Sequence, residues 1–75
     1  MKISCDPEAD AIYVHFRSNG ETVAETREVT EDILVDVDDK ENIMGLEILF
    51  ASQQIPATEL ASITIEGLAQ LTKAA

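Results

Sequence analysis

One histidine, one cysteine and fifteen carboxylates are the side chains with which this chain of 75 residues could do chemistry. A histidine works as a general base only when a nucleophile lies within hydrogen-bond reach and a third group orients its ring. Cys5 is the only thiol, and it falls on the strand next to that of His15. Alternation sets Cys5 on the side of Ile3, so the cross-strand register decides whether it meets His15. A lone cysteine in a small sheet usually serves as a small hydrophobe. A small enzyme using Cys5 and His15 is the last of three readings, and no catalytic residue is assigned.

The carboxylates are clustered. Asp6, Glu8 and Asp10 converge around Pro7 in one turn. Oxygen clusters suit hard cations such as Ca²⁺ or Mg²⁺, which makes a divalent-metal or small-ligand domain the second reading. The same residues also suit a solvated hairpin turn held by side-chain-to-backbone hydrogen bonds. Residues 36–47 place Asp36, Asp38 and Glu47 at the first, third and twelfth positions of a calcium loop. Lys40, however, stands where the fifth position needs a ligand, and Glu41 where the sixth needs glycine. No metal ligands and no cofactor are assigned. Gly20, Gly45 and Gly67 are too dispersed to cradle a phosphate. There is no nucleophile elbow and no histidine-based metal motif, and one Tyr, two Phe and no Trp offer little for bases to stack on.

These residues must be held by short strands. Residues 2–6 alternate, with Ile3 and Cys5 on one side, and Pro7 ends that run because it lacks an N–H. Residues 11–17 alternate cleanly, Ile12, Val14 and Phe16 against Tyr13, His15 and Arg17. Ser18-Asn19-Gly20 is a turn signal. Residues 22–29 read as an edge strand and residues 33–37 as a strand with Ile33, Val35 and Val37 in register. Residues 38–42 form a polar hairpin loop, and residues 43–50 form the last strand, with Leu46, Ile48 and Phe50 on one face. After Pro56 the period becomes helical, through Ala61, Ile65, Leu68 and Leu71. The β-branched run Ile63-Thr64-Ile65 favours a break, so the spacing predicts one helix over 58–74 or two short ones. The expected fold is a single α+β domain over 1–75: a small antiparallel β-meander of four or five strands over 1–51, then a C-terminal helix or helical pair over 56–75. A helix covers one sheet face only. Tyr13 and His15 are expected on the other, and its partly apolar surface predicts a homodimer.

The net charge of −10 is uneven. Residues 1–50 carry 13 of the 15 acids and 4 of the 5 Lys and Arg residues. Such a field repels phosphates and anionic headgroups, whose binding needs Lys and Arg to displace counterions. Direct nucleic-acid and membrane partners are therefore not expected, while a basic protein is attracted. One cysteine makes no intrachain disulfide, no signal-peptide pattern opens the sequence, and no apolar stretch approaches the roughly 20 residues that span a bilayer. The expected location is the cytoplasm, where a free thiol stays reduced.

Three runs carry a resemblance, the middle one being Glu28-Val29 leading to Ile33-Leu34-Val35-Asp36-Val37-Asp38. Lys2-Ile3-Ser4-Cys5-Asp6-Pro7-Glu8-Ala9-Asp10-Ala11-Ile12-Tyr13-Val14 is similar to the strand–D-x-E-A-D–strand signature of the YuzE-like family of small bacterial proteins of unknown function. Met44-Gly45-Leu46-Glu47-Ile48-Leu49-Phe50-Ala51-Ser52 is similar to its G-I-E-I-L-x-A-S signature, with Leu46 where isoleucine is common. Cys5 stands where that family often has tyrosine. The tail from Ile55 is the least family-like part. The resemblance implies no catalytic residues. It does imply a context in which similar proteins are encoded beside small toxin-like proteins, as an antitoxin would be.

The first reading is accordingly a non-enzymatic acidic interaction module, dimeric and antitoxin-like toward a basic protein. In it, Asp6, Glu8, Asp10, Asp36, Asp38 and Asp39 steer the partner, Tyr13 and His15 line the open sheet face, and Ile65, Leu68 and Leu71, with Ile63, supply apolar contact.

Overall fold

The computed structural model describes residues 1–17 and 22–74, with the side chains of 22–73 in the second segment. The Ser18-Asn19-Gly20 turn signal lies outside the described residues. Five strands form one antiparallel sheet: β1 (Lys2–Asp6), β2 (Ala11–His15), β3 (Glu25–Thr30), β4 (Ile33–Val37) and β5 (Ile43–Leu49). Three short helices follow: α1 (Ala51–Gln54), α2 (Ala57–Leu60) and α3 (Leu68–Ala74). The α+β architecture is the expected one.

The strand order departs from a straight meander. It is β1-β2-β5-β4-β3, so the last strand lies at the centre, between β2 and β4. Strands β3, β4 and β5 follow one another by hairpins and β2 returns beside β5, which is a Greek-key arrangement. The reason is apolar matching. β5 carries Leu46 and Ile48 against Val14 and Ile12 on one flank, and against Val35 and Ile33 on the other. The strand at 25–30 is exposed at every position and belongs at an edge.

Register assigns the two faces. Ile3, Val14, Leu46 and Val35 lie in one row and Cys5, Ile12, Ile48 and Ile33 in the next, all on one face. Ser4, Tyr13, Glu47, Leu34 and Glu28, with Lys2, His15, Gly45, Asp36 and Thr26, make the other. Bulges fall between Glu28 and Thr30 and between Asp36 and Val37. The buried apolar core is small: Ile12, Val37, Met44 and Ala51.

Phe50 does not continue the strand face with Leu46 and Ile48. It turns into the left-handed region at φ 52°, leaves its ring half exposed, and sends the chain into α1. Over 58–74 the chain forms the second of the two expected arrangements, two short helices, and α1 precedes them. Residues 61–67 are not helical, because Ile63-Thr64-Ile65 lose side-chain freedom in a helix and Gly67 takes φ 74°. Helices of four and seven residues are below the length that is stable without tertiary packing. Only α1 rests substantially on the sheet, against β2. Residues 61–73 are exposed throughout.

Candidate functional site

The turn between β1 and β2 is built by its own acids. Asp6 accepts hydrogen bonds on Oδ1 from the backbone N–H groups of Glu8 (3.1 Å) and Ala9 (3.2 Å). Asp10 stands at φ 51°, a conformation that Asp tolerates better than most residues. Its carboxylate accepts from the Ser52 backbone N–H (3.0 Å) and from Ser52 Oγ (2.7 Å), while its carbonyl accepts from the Ala51 N–H (2.9 Å). Three bonds thus tie the first turn to the start of α1. Beside this clamp, Cys5, Ile12, Ile55 and Leu60 help line an apolar groove of about 340 Å³.

On the second face the Tyr13 ring leans over β5. Its hydroxyl donates to Asp36 Oδ2 (2.5 Å), and Thr26 Oγ1 donates to Asp36 Oδ1 (2.5 Å). The ring occupies the space where a Cβ on Gly45 would sit: that atom would fall 1.8 Å from the Tyr13 hydroxyl oxygen. A glycine inside a strand commonly marks such a close approach. Burial, then the hydrogen bond to the Asp36 carboxylate, and then the charges of Asp36 and Glu47 push the Tyr13 phenol up to about 12. His15 tilts against Tyr13 with ring centroids 4.4 Å apart, and its Nε2 lies 3.2 Å from Ser4 Oγ. This is a cross-strand polar mesh that runs over all five strands, from Ser4 at one edge to Thr26 at the other. Cys5 projects from the opposite face, so Cys5 and His15 do not meet.

The β4–β5 loop closes on Asp38. Its Oδ1 accepts from the backbone N–H groups of Lys40 (2.9 Å) and Asn42 (2.8 Å), and Arg17 lies 3.4 Å from Oδ2. The Asn42 backbone N–H foremost, with the Asn42 side chain, the Lys40 N–H and Arg17, holds the Asp38 carboxyl below its ordinary value. Arg27 binds Glu25 (2.8 Å) and Glu41 (2.7 Å) on the exposed edge. That contact lowers the Glu25 carboxyl through its hydrogen bond to Arg27.

The residues singled out from sequence do not share one site. Asp6, Glu8 and Asp10 lie at one end of the sheet, where β1 ends and α1 begins. Asp38 and Asp39 lie at the other, in the β4–β5 loop, and Asp36 sits on the polar face between them. Tyr13 and His15 share that face as expected, but as members of a hydrogen-bonded mesh rather than an open apolar surface. Ile65, Leu68 and Leu71 are exposed in the tail. The face expected beneath the C-terminal helix is the open one: Val14, Ile33, Val35, Leu46 and Ile48 are only half buried. Ser4, Thr26, Gly45 and Ser52 were not singled out. Two signals point to them: a glycine inside the β5 pattern, and Ser52 within the Ala-Ser end of the second signature.

Among the described residues no group of three or more His, Cys, Asp or Glu is arranged to hold a metal ion. No helix among them is long and apolar enough to cross a membrane. Residues 2–52 match a sequence family described as a protein of unknown function, DUF2283. No curated protein matches the chain, and no solved structure does.

Proposed function

The chain belongs to the DUF2283 family, and from that premise we propose that it is a non-enzymatic, acidic protein-interaction module. It is of the YuzE-like kind that its two signatures resemble, and it masks a basic protein in the manner of an antitoxin. One observation carries the reading. Ile63, Ile65, Leu68 and Leu71 are 50–70% exposed on a tail that leaves the sheet at its carboxylate-rich end, by Asp6, Glu8, Asp10, Glu31 and Asp32. Acids at such an end steer a cationic partner into encounter, and apolar side chains then hold it. The carboxylates of Asp6 and Asp38 are engaged by their own loops and that of Asp10 by Ser52, so they contribute field rather than direct coordination. The half-open sheet face adds a second apolar surface. The expected location remains the cytoplasm.

The test is a pull-down from the native host at low ionic strength, with masses measured before and after a salt wash. The reading expects one stoichiometric basic protein that salt releases. It expects Leu68→Ser with Leu71→Ser to weaken capture by roughly tenfold or more. Recovery of the bait alone, or of a partner held equally well by the double variant, removes the reading.

A further inference from the structure

We infer that the free edge of β1 is the contact surface for a second copy of this chain, the two β1 strands pairing antiparallel about a two-fold axis at Ser4. The inference goes beyond the proposed basic partner and uses no residue of the tail.

The edge is open. The sheet ends in β1 on one side and β3 on the other. β3 is defended: a bulge falls between Glu28 and Thr30, and Arg27 bridges Glu25 and Glu41 along it. β1 has neither device. It pairs with β2 residue for residue, from Lys2–His15 to Asp6–Ala11. The Phe16 N–H donates to the Met44 carbonyl, so Phe16, Val14 and Ile12 turn their backbone groups toward β5, and His15, Tyr13 and Ala11 turn theirs toward β1. The residues opposite these last three, Lys2, Ser4 and Asp6, face back toward β2. Ile3 and Cys5 therefore aim N–H and C=O away from the sheet, where an added strand meets them.

The second argument is self-complementarity. The order Lys2-Ile3-Ser4-Cys5-Asp6 complements its own reverse. With Ser4 opposite Ser4, Ile3 of one copy faces Cys5 of the other, and the pair exchanges both of its outward backbone bonds. Lys2 faces Asp6 on each side of the axis. Lys2 is exposed, and the turn bonds to Asp6 fall on Oδ1, which leaves Oδ2 for the other copy's lysine. Ile3, 37% exposed, and the exposed Cys5 cover each other, so the apolar rows of one sheet run on into the next. Two copies that each carry −10 repel, and this edge sets opposite charges face to face. Other registers do worse. An axis at Ile3 sets Lys2 against Ser4, and an axis at Cys5 sets Ile3 against Pro7, which has no N–H. Pairing uses the undefended edge of each copy and leaves a β3 at both ends of the joined sheet, so assembly stops at two.

Sedimentation equilibrium is expected to give a species of twice the chain mass. Ser4→Cys in a Cys5→Ser background puts one thiol at the axis, with the two Cα atoms about 4.5 Å apart, within disulfide reach. Mild oxidation with glutathione disulfide in dilute solution is expected to link it roughly tenfold faster than Val29→Cys in the same background, at the β3 edge. Lys2→Glu sets like charges face to face and is expected to weaken association roughly tenfold. Lys73→Glu, with the same change in net charge, leaves association unchanged. Both lysines are exposed, and far-ultraviolet circular dichroism shows that the variants keep the fold. A monomer at every concentration, equal linking at the two edges, or a folded Lys2→Glu that associates like Lys73→Glu overturns the inference. A monomeric wild type that still captures a salt-released basic partner overturns this inference alone. A dimer linked through Ser4→Cys without such a partner overturns the proposed function alone.

Discussion

Residues 2–52 and residues 53–75 are built on different terms. In the first region, beside local turn bonds, polar side chains join partners far apart in sequence: Asp10 with Ser52, Tyr13 with Asp36, Ser4 with His15. In the second the hydrogen bonds are local, as where Gly67 accepts from Gln70 and Leu71, and from Ile63 onward the large apolar side chains face water. The family match ends at Ser52, the last residue that reaches back to the first turn. The contrast teaches that the sheet specifies itself, whereas the tail carries surface that nothing in its own chain covers.

Breaking the first region should cost far more than altering the second. The largest effect is expected from Gly45→Ala. Its Cβ overlaps the Tyr13 ring, which must swing away and abandon Asp36. A loss of about 2–4 kcal/mol is expected, measured by urea unfolding. Asp10→Ala removes two carboxylate bonds and leaves alanine at positive φ, for a loss of about 2 kcal/mol. Asp10→Asn, which tolerates that φ and still accepts from the Ser52 N–H, should recover roughly half. If both variants melt alike, the clamp is incidental and the contrast weakens at its boundary.

Tyr13→Phe is expected to cost about 1–2 kcal/mol, a charge-assisted hydrogen bond discounted for partial solvation. It also has a pH signature. Because the folded phenol titrates at about 12 rather than 10.0, folding favours its protonated form. That stability is complete below pH 10 and is lost as pH rises toward 12. Wild-type stability should therefore fall across this interval, while the Tyr13→Phe variant shows a shallower slope. Equal slopes would mean that the hydroxyl is solvated. The smallest effect belongs to the tail. In dilute solution, Ile65→Ser should shift unfolding by less than about 0.5 kcal/mol, because the side chain is already 64% exposed. A larger loss would show that the tail supports the sheet after all.

The strands were legible because alternation is a local property: Ile12-Tyr13-Val14-His15 and Ile33 through Val37 state their faces without help. The order of the strands was not. Whether β5 lies beside β2 depends on pairings across some thirty residues, which no single window of sequence contains. The polar mesh was hidden for the same reason, since Tyr13 reaches Asp36 only after two registers bring Gly45 between them. The acidic turns were visible, but their distribution over opposite ends was not, because direction along the sheet follows from topology. Of the single helix and the short pair that the tail's spacing allowed, the pair formed, as α2 and α3. Ala61, Ile65, Leu68 and Leu71 have helical spacing, but a helix of that face needs a surface to lie on, and the β-branched run interrupts it first.

The position of β5 has a consequence for synthesis. A ribosome delivers the middle of this sheet last. The β1–β2 hairpin emerges early with one flank of β2 unpaired, and an isolated two-stranded hairpin is at best marginally stable in water. At about 5–20 residues per second, the strand that completes it follows a few seconds later. During that wait Ile12 and Val14 have no neighbour on the β5 side. What meets the emerging chain then is Lys2 and the Asp6, Glu8 and Asp10 turn, a charged tip on a strip of unfinished sheet. Such charge keeps nascent edges on neighbouring ribosomes apart until the right strand arrives.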